Sequence, residues 1–394
     1  MTIIGLGEDG LAGLSPASRA ALAAAEAIFG GPRHLDLIGA AGKGQSWPVP
    51  FDPTPVLAHR GKPTVVLASG DPFWFGAGGS LMAHLSGGEW ISHPVPSTFQ
   101  LAANRLGWRL EEVLCLGLHA APFARLRPLL GRGVRAICTL RDGAAVGELA
   151  EWLAANGHPN ARLTVLERLG GPLERITSGV PVDPIGAPVW VATVWAAPVS
   201  VAIEAADPGL PGASGLPDTL FQHDGQITKR PVRALTLSAL APRKGEVLWD
   251  IGAGSGSIGI EWLLAGAGRV EALEADPARA ARARGNVDAF GLGHRHRLHE
   301  ARAPAGLDGL AAPDAVFVGG GASEALLLRL WDIMPAGCRL VLNAVTIETE
   351  ALVLDWSARM GGGLLKVDLS EPVAVGGKRG WKAGFPILQW SVTR

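Results

Sequence analysis

The chain has 394 residues, 48% hydrophobic and 18% charged, with a formal net charge of −1. That composition supports buried cores in about two or three domains, excludes global disorder and gives no general attraction for nucleic acid. Three cysteines without CxxC spacing, Cys115, Cys138 and Cys338, fit a reduced, cytoplasmic protein with neither a disulfide framework nor a zinc site.

The first residues, Met1-Thr2-Ile3-Ile4-Gly5, lack the basic segment of a secretory signal. They read as a strand running to Leu6. A helix is expected from Ser15 to Ala27, with Ser15 as N-cap and Pro16 in the first turn. Pro63 to Ala68 reads as a strand that runs into Ser69-Gly70-Asp71-Pro72. Trp90 to Val95 reads as another, leading through Pro96-Ser97-Thr98 to a helix beginning near Phe99. Further short strands are expected at Val113 to Gly117, Val134 to Leu140 and Leu163 to Glu167. A helix fits Ala144 to Asn156, and Val199 to Ala205 reads as a closing strand. The uncharged stretch Pro184 to Ile203 meets the crude length criterion for a membrane span. Gly186, Pro188 and Pro198 interrupt it, so two buried strands with a turn fit better, and no membrane partner is expected.

Three prolines and three glycines fall between Asp207 and Pro217, which is linker composition. Domains are therefore expected at 1–205 and 218–394, with a linker at 206–217. Past the linker, strands alternate with helices at Val247 to Ile251, Val270 to Glu274, His296 to His299, Ala315 to Val318 and Arg339 to Asn343. Two more, Leu364 to Asp368 and Phe385 to Trp390, flank a glycine-rich basic connection and suggest an antiparallel closing pair. Seven strands with intervening helices predict an α/β, doubly wound, Rossmann-like sheet.

The segment Val247-Leu248-Trp249-Asp250-Ile251-Gly252-Ala253-Gly254-Ser255-Gly256 carries the most information. An acid ends a buried strand, and glycines let a ligand approach the backbone. Twenty-four residues after Asp250, Glu274 ends the next strand, where a carboxylate can accept ribose hydroxyls. Gly254, Gly256 and Gly259 also satisfy G-x-G-x-x-G, so a nicotinamide dehydrogenase is an open alternative. An acid just ahead of the glycines repels a pyrophosphate, whereas the ammonium and sulfonium of S-adenosylmethionine suit it. S-adenosylmethionine is the favoured cofactor on that ground.

The residues also carry a family resemblance over nearly the whole chain. Ile4-Gly5-Leu6-Gly7-Glu8-Asp9-Gly10, Ala68-Ser69-Gly70-Asp71-Pro72, Pro96-Ser97-Thr98 and Glu167-Arg168-Leu169-Gly170-Gly171 resemble tetrapyrrole methylases of the CbiE type. Glu8-Asp9 stands where most tetrapyrrole methylases have a proline. Gly225-Gln226-Ile227-Thr228-Lys229-Arg230-Pro231-Val232-Arg233 and the segment after it resemble CbiT-type precorrin methyltransferases, with Pro231 where a glutamate is usual. Together the modules are similar to the fused, CobL-type family.

That resemblance implies a two-lobed class III methyltransferase fold followed by a class I methyltransferase fold. It implies methylation of a precorrin at C5 by the first module and at C15 by the second, with decarboxylation of the C12 acetate to give precorrin-8x. It implies two S-adenosylmethionine sites per chain and a homo-oligomer. Gly70, Asp71, Pro72, Ser97 and Thr98 would hold cofactor in the first module, with Gly5 and Gly7 facing substrate. In the second, Thr228, Asp250, Gly252, Ala253, Gly254, Gly256, Glu274, Ala275 and Ala301 would hold cofactor. Gly319, Gly320 and Gly321 would line the substrate mouth, and Lys229, Arg233, Lys378 and Arg379 would meet substrate carboxylates. His299 is the catalytic candidate for protonation after decarboxylation. The histidines at 294, 296 and 299 alternate with arginines and read as surface residues, with no metal expected. A first module with no catalytic role remains a further alternative.

Overall fold

The computed structural model describes residues 1–40, 42–48, 51–181 and 194–394. It divides into two compact units, Met1–Phe123 with Leu129–Gly209, and Ala124–Pro128 with Leu210–Arg394. Of the expected Pro184 to Ile203 strand pair, residues 184–193 lie outside the described residues, and the second half contains a strand that begins at Val199.

The first unit contains two five-stranded sheets. The first sheet holds β1 (Thr2–Leu6), β2 (Ala27–Gly30), β3 (Gly44–Ser46), β4 (Thr64–Ser69) and β5 (Ile91–His93), in the order β3-β2-β4-β1-β5. All its pairings are parallel. Parallel strands are buried on both faces, which is why Val65 to Ala68, within β4, is a continuous apolar run rather than an alternating one. The expected first helix is shorter than its composition suggests. It spans Pro16–Ala24, with Ser15 Oγ accepting from Ser18 N. Ala25 is already extended, and the apolar residues beyond it form β2.

The second sheet holds β6 (Leu114–Gly117), β7 (Arg135–Thr139), β8 (Arg162–Glu167), β9 (Arg175–Pro181) and β10 (Val199–Glu204). Its order is β6-β7-β10-β8-β9, and only β6–β7 is parallel. The helix Ala144–Ala155 connects β7 to β8 and buries Val146, Leu149 and Leu153.

The second unit is built on β11 (Val247–Ile251), β12 (Arg269–Leu273), β13 (His296–His299), β14 (Ala315–Val318), β15 (Arg339–Ala344), β16 (Gly363–Val367), an inserted hairpin of β17 (Ser370–Val375) and β18 (Lys378–Ala383), and β19 (Ile387–Thr393). The seven-stranded sheet runs β13-β12-β11-β14-β15-β19-β16, with β19 antiparallel to both neighbours. This is the doubly wound class I arrangement that the resemblance implied. The basic connection expected between the last two strands is itself the β17–β18 hairpin, paired only with itself. Strand order reverses between β11 and β14, and ligand crevices in such sheets open at the carboxyl ends there. One apolar cluster packs Trp249, Ile251, Leu273, Trp356 and Trp390. A second packs Leu248, Val270, Phe317 and Val341 against Leu237 and Trp262.

Candidate functional site

In the first unit, the loops after β1 and β4 meet. Gly70 N donates to Leu6 O at 3.1 Å, and Val95 N donates to Gly70 O at 3.2 Å. The approach is so close that a Cβ on Gly5 would lie 1.9 Å from Gly70 O. Gly70 itself has φ +56, and a Cβ there would lie 2.7 Å from Ser97 Cα. Ser97 is buried and caps the helix Thr98–Leu106 in a capping box with Gln100.

These loops border a cleft of about 420 Å³, whose far wall comes from the second sheet through residues such as Thr139, Leu166 and Ser200. Gly7, Gly70, Ser97 and Thr98 are among the residues that line it. Gly5 does not: its α-carbon is packed against the Gly70 loop, which corrects its assignment to substrate. Asp71 and Pro72 are not on the cleft wall either. Asp71 Oδ1 accepts from Phe73 N at 2.8 Å in an Asx turn, and Pro72 is buried beneath Gly76 and Gly78. The cleft also presents Glu8, Arg33, His34 and Ser69, which the sequence reading left unassigned. Their signal was present: Arg33-His34 follow the apolar strand β2 and Gly30-Gly31-Pro32, another strand-to-glycine exit.

In the second unit, the turn after β11 is knitted to the end of β12. Gly252 N and Ala253 N both donate to Leu273 O, at 2.9 and 3.0 Å. Glu274 is buried; its Oε2 accepts from Gly254 N at 2.8 Å and its Oε1 from Asp276 N at 2.9 Å. Gly252 adopts φ +72 with its α-carbon against Gly320, where a Cβ would lie 2.9 Å from the carbonyl oxygen. Open space lies before the α-carbon of Gly254. Asn286, which sequence reasoning missed inside its helix, secures the turn by donating to Ser255 O at 2.8 Å and to Gln222 O at 2.9 Å. The structure therefore brings together Asp250, the glycine turn, Glu274 and Gly319–Gly321.

Asp250 departs from the expected charged strand tip. It is fully buried, with Oδ2 accepting from Gly259 N at 3.1 Å and Oδ1 without a partner. Burial, with a contribution from Glu274, raises its pKa to about 7. The chain's own groups thus do not hold this carboxyl ionised at neutral pH; a cation brought beside it would. His296, on β13, is also buried, correcting the surface reading, and burial lowers its pKa to about 4. Strand alternation turns residue 296 inward while Arg297 stays exposed.

Arg233 is the clearest correction. It is fully buried, not poised for substrate. Its Nε donates to Glu261 Oε1 at 2.5 Å, its Nη1 to Asp218 Oδ1 at 3.0 Å and to Thr228 O at 2.5 Å, and its Nη2 to Leu216 O. Thr228's carbonyl is thereby committed to Arg233. His299 is held by Glu271 Oε2 at 2.8 Å, three residues short of Glu274. Ala301 N donates to His299 O, so its amide is already engaged. Ala275 and Lys229 are exposed, the latter at the N-cap of the helix Arg230–Leu240. Lys378 and Arg379 are exposed at the start of β18.

The second site fits the cofactor proposed for it: an orphaned buried carboxyl oxygen for a cation, a glycine turn open at Gly254, and Glu274 one strand over. Among the described residues, no group of three or more His, Cys, Asp or Glu side chains is placed to hold a metal ion.

Residues 1–180 match the family model described as Tetrapyrrole (Corrin/Porphyrin) Methylases, and residues 219–394 match the Precorrin methyltransferase domain. The chain is 46% identical to a precorrin-6Y C(5,15)-methyltransferase [decarboxylating] from Sinorhizobium sp, covering 100% of this chain and 96% of that protein. It is 37% identical to the protein of the same name from Mycobacterium tuberculosis strain H37Rv, covering 100% and 99%. A probable cobalt-precorrin-6B C(15)-methyltransferase (decarboxylating) from Saccharolobus solfataricus is 33% identical over 42% of this chain and 85% of its own length.

Proposed function

Because the chain belongs to the precorrin-6Y C(5,15)-methyltransferase [decarboxylating] family, we propose that its two units each carry one S-adenosylmethionine-dependent methylation of the macrocycle. The enzyme is a methyltransferase of cobalamin biosynthesis, acting on a precorrin with decarboxylation. The finer division is our reading: C5 methylation in domain 1–205, C15 methylation with loss of the C12 acetate in domain 218–394, a linker at 206–217, and precorrin-8x as product. The single observation that carries the two-site reading is the coexistence of a glycine-bordered cleft beside Gly70 and Ser97 in the first unit and a glycine turn from Gly252 to Gly256, tied to Glu274, in the second. The size of the C(15)-methylating, decarboxylating relative supports assigning both of those steps to a module of about half the chain.

S-adenosylmethionine supplies an electrophilic methyl group. In the second unit, Glu274 would accept the ribose hydroxyls, the Gly252–Gly256 backbone would lie along the ligand, and Asp250 would sit beneath its cationic end. Gly320 packs against Gly252, and Gly319–Gly321 would hold the macrocycle's reacting edge in line. Positioning of this kind can account for ~7–11 kcal/mol of a barrier. In the first unit, Gly70, Ser97 and Thr98 would line the cofactor's cleft, with Gly7 toward the macrocycle. A cytoplasmic, homo-oligomeric enzyme without nucleic-acid or membrane partners belongs to the same reading. The near-neutral net charge gives no general attraction for nucleic acid, and no helix among the described residues is long and apolar enough to cross a membrane.

Calorimetric titration with S-adenosylhomocysteine tests the proposal and is expected to give two equivalents per chain. One equivalent, or tight saturable NADH binding in its place, refutes it. Mass spectrometry of the product from a defined precorrin should show two methyl groups gained and one carboxyl lost.

A further inference from the structure

One corner of the first unit's cleft is built from polar side chains that neither the glycine loops nor the apolar walls require. Arg33 and His34 enter it from the helix Pro32–Ile38, Ser69 from the end of β4 and Glu8 from the loop after β1. Arg33 Nη2 lies 3.1 Å from His34 Nε2 and 3.2 Å from Ser69 Oγ, and His34 Nε2 lies 2.9 Å from Ser69 Oγ. Glu8 forms an ion pair with Arg33. His34 is only 9% exposed, and its Nδ1 has no partner.

The chemistry of this corner is lopsided. A guanidinium can only donate, a hydroxyl can donate, and a neutral imidazole donates from one nitrogen. Because Arg33 can only donate to His34 Nε2, that nitrogen accepts and the imidazole proton lies on the unpartnered Nδ1; the donors lining this corner are the guanidinium and the Ser69 hydroxyl, and Glu8 is the one carboxylate there among the described residues. Burial lowers the pKa of Arg33, and burial together with Arg33 lowers that of His34 to about 4. The guanidinium's counter-charge here is Glu8. Arg33 is also the one Lys or Arg side chain lining the cleft among the described residues. Its forked donors match a carboxylate in two bonds, which a lysine would not.

We propose that Arg33, His34 and Ser69 form a carboxylate-binding corner of the first cleft, and that Glu8 is its internal substitute until a ligand carboxylate arrives. The inference rests on the reading of this cleft as a methylation site. Two carboxylates reach such a cleft: an acid side chain of the tetrapyrrole, and the amino-acid tail of the cofactor. Both present the same chemistry to the corner. Displacing Glu8 costs its ion pair, so the corner binds an incoming carboxylate more weakly than a bare arginine would. That opposition makes the role of Glu8 testable in sign as well as size.

The experiment compares the full-length wild type with Arg33→Met, Arg33→Lys and Glu8→Gln. It measures S-adenosylhomocysteine dissociation constants by calorimetry, and KM and kcat for the first methylation by product mass. Arg33→Met is expected to weaken one carboxylate ligand by on the order of tenfold or more, as loss of a charge-assisted bond does. Arg33→Lys should recover part of that loss, and Glu8→Gln should shift the same constant in the opposite direction. If an S-adenosylhomocysteine dissociation constant moves, the corner holds the cofactor's tail. If only KM for the precorrin moves while kcat holds, it holds a substrate side chain. Unchanged constants in Arg33→Met overturn the proposal. So does a Glu8→Gln variant that weakens binding as Arg33→Met does, since Glu8 would then be a clamp. A wild type that binds a single equivalent fails differently, by removing the methylation reading of this cleft before any variant is made.

Discussion

Replacing Arg233 by methionine decides between two roles for a residue that the sequence placed near substrate. The structure gives Arg233 no exposure and four partners: Glu261, Asp218, and the carbonyls of Thr228 and Leu216. Its guanidinium also lies 4.8 Å from the Phe221 ring centroid. Methionine preserves most of the stem but leaves Glu261 buried without its counter-charge. Glu261 would keep the amides of Gly215 and Leu216, at 2.5 and 2.9 Å, which soften the loss without neutralising it. Breaking a buried pair from one side costs about 3–5 kcal/mol. The lost ring contact, at a desolvated site, adds roughly 2 kcal/mol. Urea unfolding, followed by amide exchange in peptides from Leu210–Arg394, should report a loss of about that size. The double variant Arg233→Met with Glu261→Gln should recover part of it, because no charge is then stranded. If Arg233→Met unfolds at the wild-type midpoint while KM for the precorrin rises, the burial argument is wrong and the residue faces substrate after all.

Three further outcomes test the geometry elsewhere. Asp250 has its folded pKa raised to about 7 from 3.8, so the protonated form favours folding. Its contribution is full below about pH 4, is lost as pH rises toward 7, and is flat above. Relative to Asp250→Asn, the wild type should therefore lose stability over that window, by on the order of 4 kcal/mol; parallel stability–pH curves would contradict the buried, unpartnered carboxyl. Gly252→Ala combines φ +72 with a Cβ 2.9 Å from Gly320 O, a strain of roughly 1–3 kcal/mol. S-adenosylhomocysteine binding to the second unit should weaken correspondingly, and unchanged calorimetry would count against that turn. Gly5→Ala would place a Cβ 1.9 Å from Gly70 O. It should lower the first unit's melting temperature and its cofactor affinity together; a rise in substrate KM alone would restore Gly5 to the substrate side.

Strand periodicity, caps and glycine placement made most of the architecture legible before any coordinates. Apolar runs such as Val65 to Ala68 and Val247–Ile251 are buried on both faces and leave a strong local signal. Ser15 and Ser97 announce helix starts through bonds confined to a few residues. The Gly252–Gly256 turn with Glu274 is readable because its chemistry lies close along the chain. The β17–β18 hairpin was not readable, because two short exposed strands paired only with each other look like a basic loop.

What the residue order by itself determined is therefore most of the strands and helices, the two-module plan and the chemistry of the glycine turn. All of these arise from interactions spanning a few residues or from a repeating pattern. Tertiary structure alone decided which polar groups are buried and what they meet. Arg233 became a structural cation because Glu261, 28 positions away, lies within 2.5 Å of it. Arg33, His34 and Ser69 became neighbours because a helix after β2 reaches across to the end of β4. A charged side chain carries the same letter whether it faces solvent, substrate or a buried partner. Its energy depends on the local dielectric and on contacts distant in the chain, and only folding supplies both.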